Sequence, residues 1–271
     1  MTQHSQPQDL NKLSTQFRSA IEDLTHEWGF VVVRTAYAAD KDHDEAQWAL
    51  ALEKLRAYAT PDDDDDVEMD PATFALPVIA DSTLLRGADQ ATVRKAFNGW
   101  IDDFVCHRKR KPVENDPNEE WPSDICRNAC IVIDSHSLAS LLKAPDLLRS
   151  NISCNPNLEP WILIIDAKDP NSVPYGGGGP YMGFTRARAR VLHQLYEDLG
   201  ARSLARLSPV RAYQGQIPLY DGSLRGKLVD PEGGVEERYK FPQGTPRGVD
   251  GARAMLEEIE RAVGRVNGLG N

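Results

Sequence analysis

Strand-like and helix-like hydrophobic patterns alternate about four times along this chain, and this alternation limits the possible folds more than any other feature. The strand candidates are short, apolar and rich in β-branched residues: 28–37, 74–80, 129–133 and 161–165. The helix candidates repeat apolar residues every three to four positions: 9–26, 44–58, 89–104, 135–142, 185–199 and 249–266. The pattern predicts an α/β fold with a central, largely parallel or mixed sheet and helices on its faces.

The size and composition are those of an ordinary globular protein, with 271 residues, 41% hydrophobic and 27% charged. We expect a single α/β domain over 1–271, with a polar N-terminal tail at 1–8 and a turn-rich section at 209–246. No run of about 18 apolar residues occurs, and residues 1–13 lack the apolar segment of a secretory signal. The sequence therefore predicts a cytoplasmic protein without a membrane span.

Four cysteines are too few and too clustered to form a disulfide framework, so we expect free thiols at Cys106, Cys126, Cys130 and Cys154. Cys126 and Cys130 are four residues apart with histidines nearby, which is one possible metal site. Zinc sites usually carry cysteine pairs of shorter spacing, however, and Cys130 begins a strand candidate. We therefore expect no metal and no other cofactor.

The formal net charge of −10 argues against broad attraction to DNA or to anionic membranes. Two basic patches depart from this average. Arg108, Lys109, Arg110 and Lys111 follow an apolar helix, where they could hold a phosphate backbone or simply complement the carbonyl end of the helix. The second patch holds arginines between 186 and 211, for which an exposed charged helix face is the simpler interpretation.

An acidic run follows Pro61 and contains Asp64, Asp65 and Glu68. Carboxylates this close together can share a divalent cation, bind a guanidinium group or act as bases, because mutual repulsion raises their pKa values. Runs of aspartate are also common as solvated linkers. Both interpretations stay open at this point.

Two further loops have a functional and a simpler interpretation. The glycines at 176–179 could approach a phosphate closely, yet they lack the spacing of a dinucleotide or P-loop motif, so a mobile loop explains them as well. His136 follows a strand candidate and could be catalytic, but the sequence Asp134, Ser135, His136, Ser137 is also typical of a helix cap. No nucleophile elbow is present.

Four segments carry a resemblance to known proteins: 28–30 with Arg34 and Thr35 after it, 76–81, 130–134 and 181–184. On these segments the chain resembles the fungal arginine-containing cyclodipeptide synthases, over residues 28–199. The resemblance implies an enzyme of secondary metabolism that takes arginyl-tRNA and a second aminoacyl-tRNA and releases a cyclic dipeptide. The Asp-Asp-x-x-Glu motif attributed to that family matches here at Asp64, Asp65 and Glu68.

The resemblance implies that these three carboxylates are catalytic or bind the arginine side chain. A tRNA substrate would need positive surface, for which the candidates are Arg108, Lys109, Arg110 and Lys111 and the arginines from Arg186 to Arg211. Aminoacyl esters are already activated, so no ATP site is needed. Two alternatives remain: a noncatalytic small-molecule or protein-binding α/β module, and a metal-dependent transferase that holds Mg²⁺ with the same carboxylates.

Overall fold

The computed structural model describes residues 7–60, 70–110, 123–146, 159–174, 180–211, 216–223, 226–229 and 236–237. The chain divides into two compact units, 1–236 and 237–271, and only Glu237 of the second is among the described residues. No helix in the described ranges is both long enough and apolar enough to cross a membrane.

Helices and strands alternate along the described residues. The helices are α1 (Pro7–Ile21), α2 (Lys41–Ala59), α3 (Ser82–Leu85), α4 (Gln90–Arg110), α5 (Ser135–Lys143), α6 (Leu192–Ala201) and α7 (Leu204–Leu207). The strands are β1 (Trp28–Gly29), β2 (Val32–Arg34), β3 (Phe74–Ala75), β4 (Val78–Ile79), β5 (Asp124–Ile125), β6 (Ala129–Ile133), β7 (Trp161–Asp166), β8 (Phe184–Arg188), β9 (Ile217–Tyr220), β10 (Lys227–Val229) and β11 (Glu236–Glu237).

The strands form one large sheet and one small one. The large sheet has the order β11-β10-β9-β8-β7-β6-β2-β4, and the small sheet has the order β3-β1-β5. β4, β2 and β6 are parallel, β6, β7 and β8 are antiparallel, and β8 and β9 are again parallel. The predicted α/β class with a mixed central sheet and flanking helices is confirmed.

Three extended segments of the chain contribute one strand to each sheet, in the same spatial order. They are β3 with β4, β1 with β2, and β5 with β6. Trp28 pairs with Phe74 and Val32 with Val78, so the first two segments keep the same spacing between their strands. Trp28 also pairs with Asp124, whereas Val32 pairs with Ile131, so the third segment holds three extra residues between its strands.

The continuous strands predicted at 28–37 and 74–80 are therefore wrong in detail, because each is interrupted. Gly29 has a φ of 135°, a conformation that favours glycine, and a Cβ there would overlap the carbonyl oxygen of Ala75. In the other segment Pro77 has no N–H to donate, although its carbonyl accepts from the Val32 N–H at 2.8 Å.

Alternating residues of the central strands face two separate cores. Val32 and Ile131 point into one core, which also contains apolar side chains of α2, α5 and α6. Val33 and Val132 point into the other, which contains side chains of α1 and α4. The sheet is therefore covered on both faces, as continuously apolar parallel strands require.

The predicted helix at 185–199 is wrong over its first half. Residues 184–188 form β8, which pairs with β7 on one side and β9 on the other, and α6 begins only at Leu192. The arginines at 186, 188 and 190 recur every second residue, which is a strand period rather than a helix period. The predicted strands at 129–133 and 161–165 and helices at 9–26, 44–58, 89–104 and 135–142 are confirmed with shifted ends, while 249–266 lies outside the described residues.

Candidate functional site

The carboxyl ends of the parallel strands β4, β2 and β6 lie together along one side of the large sheet, which we call its carboxyl-terminal edge. The chain passes from β2 through α2 to β4, and then through α4 to β6 on the other side of β2. Side chains of α2 pack on one face of these strands and those of α4 on the other. The residues that follow the carboxyl ends of β2 and β6 lie beside each other, and open α/β sheets usually bind ligands outside the carboxyl ends of their strands.

An aspartate precedes the helix that follows each of these strands. Asp40 caps α2, Asp81 caps α3 and Asp134 caps α5, and each side chain accepts a hydrogen bond from a backbone N–H in the first turn. The Thr83 hydroxyl and the Gln16 amide also bond to Asp81 and help to lower its pKa. These caps fix the residues at which α2, α3 and α5 begin, and therefore which residues surround the carboxyl ends of the strands.

Two adjacent cavities lie at this edge, and because they share lining residues we call them the two lobes of one crevice. The lobe on the α5 side has a volume of about 630 Å³ and is lined by residues that include Tyr37, Arg86 and Leu138. The lobe on the α4 side has a volume of about 420 Å³ and is lined by the first turn of α4 and by apolar strand residues. Thr35, Ala88 and Asp134 line both lobes, so two ligand groups bound in them would meet at these three residues.

The Asp134 carboxylate is the acidic group common to both lobes. Its Oδ1 accepts from the Ser137 N–H at 2.7 Å, and the amino end of α5 favours its negative charge. Arg186 is a neighbouring cation whose guanidinium lies 3.6 Å from the ring centre of Trp161. Burial lowers the pKa of Arg186 to about 10, and the charge of Asp134 opposes this shift. The Asp134 carboxylate can therefore accept a proton from a ligand or bind a cationic group.

A buried ion pair holds the loop that forms one wall of the crevice. Arg34 lies 2.6 Å from Asp44, between the rings of Tyr37 and Trp48 at 4.3 and 4.7 Å. Asp44 also accepts from the Ala38 N–H at 2.6 Å. Burial raises the pKa of the Tyr37 hydroxyl to about 12, so this group stays protonated at neutral pH. Arg34 and Asp44 therefore neutralise each other, and Asp44 also holds the backbone of the loop at Ala38.

Arg86 contacts the same loop from its solvent-exposed side. Its Nη1 donates to the carbonyl oxygens of Tyr37 and Ala38 at 3.1 and 3.3 Å, and its guanidinium lies 5.5 Å from the Tyr37 ring centre. Unlike Arg34, this side chain is exposed and forms no salt bridge within the described part of the chain. Arg86 thus supplies the crevice with an uncompensated positive charge.

No family model, curated protein or solved structure matches the chain. The chemistry of the crevice is therefore assessed from its own residues. It combines a partly exposed carboxylate, a hydroxyl, the exposed guanidinium of Arg86 and apolar surface, a set that can orient a charged ligand and transfer a proton.

The predicted catalytic residues Asp64, Asp65 and Glu68 lie outside the described residues, and this assignment stays a prediction. The described residues on either side, Thr60 and Asp70, are at the amino-terminal end of the central strands. Thr60 follows α2, whose 19 residues span about 28 Å from the crevice edge. The carbonyl of Asp70 accepts from the Trp28 indole at 2.9 Å.

The described part of the predicted tRNA-binding patch lies away from the crevice. Arg108, Lys109 and Arg110 form the carboxyl end of α4, and Lys111 lies outside the described residues. The amino end of α4 lines the crevice, and its 21 residues span about 30 Å. The structure therefore places this basic helix end at the opposite edge of the sheet.

The second basic patch is divided by internal contacts. Arg188 is buried and pairs with Glu159 at 3.2 Å, and Arg190 lies 3.9 Å from the same carboxylate. Since residues 184–188 form a strand, the expectation that Arg186 and Arg190 share a helix face is wrong. Arg206 is exposed, as is Arg202, so these two stay available to a ligand.

The cysteine and histidine candidates are not assembled into a site. Cys126 and Cys130 are buried and free, and burial raises the pKa of Cys126 to about 11 and that of Cys130 further. No group of three potential metal ligands occurs among the residues that the structure describes. His136 is exposed on the first turn of α5, and the glycines at 176–179 lie outside the described ranges.

Sequence reasoning gave Asp134 only a capping role and passed over Thr35, Tyr37 and Arg86. A usable signal was present, because Thr35 and Asp134 each follow directly after a strand of the parallel set. Residues at these positions face the ligand crevice in open α/β sheets. Arg86 carries no such signal, since it reaches the crevice only through the turn after α3.

Proposed function

We propose that the chain is a tRNA-dependent cyclodipeptide synthase that joins arginine from arginyl-tRNA with the amino acid of a second aminoacyl-tRNA. The observation that supports this function best is the two-lobed crevice whose lobes share Thr35, Ala88 and Asp134. A reaction that couples two aminoacyl groups needs two adjacent pockets. Placing both groups at a shared wall supplies the proximity that the coupling requires.

The proposed reaction forms two amide bonds and breaks two ester bonds. The amine of one aminoacyl group attacks the ester carbonyl of the other and releases the first tRNA through its ribose hydroxyl. The remaining free amine then attacks the second ester carbonyl within the same molecule, which closes the six-membered ring and releases the second tRNA. Each attacking amine begins as an ammonium group and must lose a proton, which a carboxylate can accept.

Within this proposal, carboxylates in two regions are candidates for a role. Asp134 would accept a proton or hold an ammonium group between the lobes, since it lines both of them. The family resemblance gives Asp64, Asp65 and Glu68 a role in proton transfer or in bidentate recognition of the arginine guanidinium. Because their described neighbours Thr60 and Asp70 lie at the other end of the strands from Asp134, the acidic run and Asp134 are alternative candidates for this role. No cofactor takes part, because the ester bonds of the substrates are already activated.

The substrates would contact the protein beyond the crevice. A tRNA with its 3′ end in the crevice would have to extend about 30 Å to contact Arg108–Arg110, the length of α4. The net charge of −10 favours weak and salt-sensitive binding, as a substrate that must leave after each turnover requires. A cytoplasmic location, where charged tRNAs are made, belongs to the same proposal.

The proposal is tested by expressing the chain in a bacterial host with isotope-labelled arginine and searching the medium by mass spectrometry. We expect a labelled cyclic dipeptide that disappears in Asp65→Asn and Glu68→Gln if the acidic run is catalytic, and in Asp134→Asn if the crevice is. Asparagine caps helices as well as aspartate does, so Asp134→Asn should fold normally. Asp40→Asn makes the same change at a cap outside the crevice lining and should leave product formation unchanged.

Two outcomes would count against the proposal. If all three carboxylate variants make the product at the wild-type level, the assignment of roles to these carboxylates is wrong. If the folded wild-type chain makes no labelled product in the host or with purified charged tRNAs, the enzyme assignment itself fails. The noncatalytic binding module would then be the better description.

A further inference from the structure

A second cavity lies on the opposite side of the large sheet from the crevice, where β7 ends. It has a volume of about 780 Å³ and is formed where β7 ends, where β8 begins and along α7 with the residues that follow it. Its apolar lining includes five prolines, whose rings have restricted backbone torsions, together with Val173, Met182 and Val210. The volume falls within the range of ligand pockets for small molecules.

Among the described residues, every charged side chain that lines this cavity is a cation. The three are Lys168, Arg206 and Arg211. They stand out because the whole chain carries 41 acidic residues against 31 basic ones. None of the three forms a salt bridge with another residue in the part of the chain that the structure describes. The cavity is thus a local positive site in an acidic protein.

Backbone contacts hold two of these cations at the cavity wall. Arg211 donates from Nη2 to the carbonyl oxygen of Pro180 at 2.7 Å, which leaves its other N–H groups for a ligand. The backbone N–H of Lys168 donates to Asp166 at 2.9 Å, which fixes the start of the segment that carries the lysine. Arg206 is an exposed residue of the short helix α7.

The carboxyl group beside this wall is already engaged. Asp166 is only 4% exposed, and its Oδ2 accepts from the Tyr181 hydroxyl at 2.7 Å. Burial raises the pKa of Asp166, while its hydrogen bonds and the charges of Arg94 and Lys168 oppose this shift. Tyr181 lines the cavity and lies in front of this carboxyl group. Asp166 thus forms no salt bridge with these three cations among the described residues, although its charge interacts with that of Lys168.

We propose that this cavity binds a small phosphorylated compound with an apolar or planar body. Two guanidinium groups and an ammonium group match a doubly charged phosphate better than a single carboxylate, because arginine donates paired N–H groups to phosphate oxygens. The proline-rich lining provides apolar surface for the rest of the ligand. This site is separate from the crevice and does not depend on the proposed synthase activity.

The concave shape favours a small molecule over RNA. Surfaces that bind nucleic-acid backbones are usually extended and strongly basic, whereas this one is an enclosed lining with three cations in a chain of net charge −10. RNA is therefore the competing ligand that the experiment must distinguish.

The site is tested by isothermal titration calorimetry of the full chain with AMP and with inorganic phosphate at low salt. We expect saturable binding at one site, with AMP bound more tightly than phosphate because its base contacts the apolar lining. Arg206→Gln and Lys168→Gln should each weaken AMP binding about tenfold, the usual effect of losing one hydrogen bond to a charged group. Arg202→Gln removes an exposed arginine outside the lining and should bind AMP as the wild type does.

Thermal unfolding without ligand checks that each variant folds, since Lys168 and Arg206 are exposed and contribute little to stability. Three results would overturn the proposal. They are the absence of binding at millimolar AMP and phosphate, equal AMP affinity in all variants, and a short RNA that binds more tightly than AMP and loses this affinity in Arg206→Gln and Lys168→Gln. None of them depends on whether a cyclic dipeptide is formed.

Discussion

Replacing Asp44 by asparagine should destabilise the protein strongly, because it removes the counter-charge of a buried arginine. The side chains of Arg34 and Asp44 are 6% and 12% exposed. Asparagine keeps an oxygen that can accept from the Ala38 N–H, so the change removes charge with little loss of volume. What it leaves behind is a guanidinium group that water cannot reach.

Removing one partner of a buried ion pair typically costs about 3–5 kcal/mol. The lower end applies here for two reasons. Arg34 keeps its hydrogen bond from Nε to the Ala36 carbonyl at 2.9 Å and its stacking between Tyr37 and Trp48. In addition, the contact from Nη2 to Asp44 is short but poorly aligned as a hydrogen bond. We expect a loss of about 3 kcal/mol, which for a chain of this size lowers the melting temperature by about 6 °C.

The measurement is urea and thermal unfolding followed by circular dichroism. Glu45→Gln is the matched control on the next residue of α2, because its pair with Lys41 is exposed and should contribute less than about 0.5 kcal/mol. Adding Arg34→Met to Asp44→Asn should cost less than the sum of the two single changes. Equal destabilisation by Asp44→Asn and Glu45→Gln, or strict additivity in the double variant, would refute the reasoning.

Three further outcomes follow from the structure. Gly29→Ala should destabilise the protein by about 3 kcal/mol or more, since it combines backbone strain with a steric clash, whereas Gly200→Ala in open space on α6 should stabilise it by up to about 1 kcal/mol; urea titration compares the two. Cys126 and Cys130 should resist alkylation until the protein unfolds, as peptide mass spectrometry would show; rapid labelling of either thiol in the native protein contradicts their burial. Asp166 has a folded pKa above its unfolded value of about 4, so its contribution is most favourable below that pH and is lost as the pH rises towards the folded pKa. The unfolding free energy of Asp166→Asn should lack this fall, and identical pH profiles would disprove it.

The repeating pattern of apolar residues was sufficient for the fold class and for most elements. It succeeded at β6 and β7, where a run of buried residues has clear ends. It failed at Gly29, because a break that depends on one glycine in a positive φ does not change the apolar pattern around it. It also failed at 185–188. There the helical spacing of Val191, Leu195 and Leu199 was extended backwards over a strand, although the arginines of that strand recur every second residue.

The site was harder to predict, because its residues come together only through topology. Thr35 and Asp134 are 99 positions apart in the sequence and meet since β2 and β6 are neighbours with their carboxyl ends at one edge. The sequence showed both strands but gave no strand order, so the shared crevice could not be derived from it. The resemblance directed attention to charged runs, and Arg108–Arg110 proved to lie at the far end of α4.

The register of the three segments that run through both sheets is set twice, once by the pairing in the small sheet and once by the pairing in the large sheet. A slip of one residue in the large sheet would have to be matched in the small one, because β1 and β2 are joined by only two residues. Errors of strand pairing are therefore discouraged during folding even though β1, β3 and β5 are each only two residues long. The three extra residues before β6 show where length can change without disturbing either alignment. An insertion between β5 and β6 should therefore be tolerated far better than one inside any strand of this set.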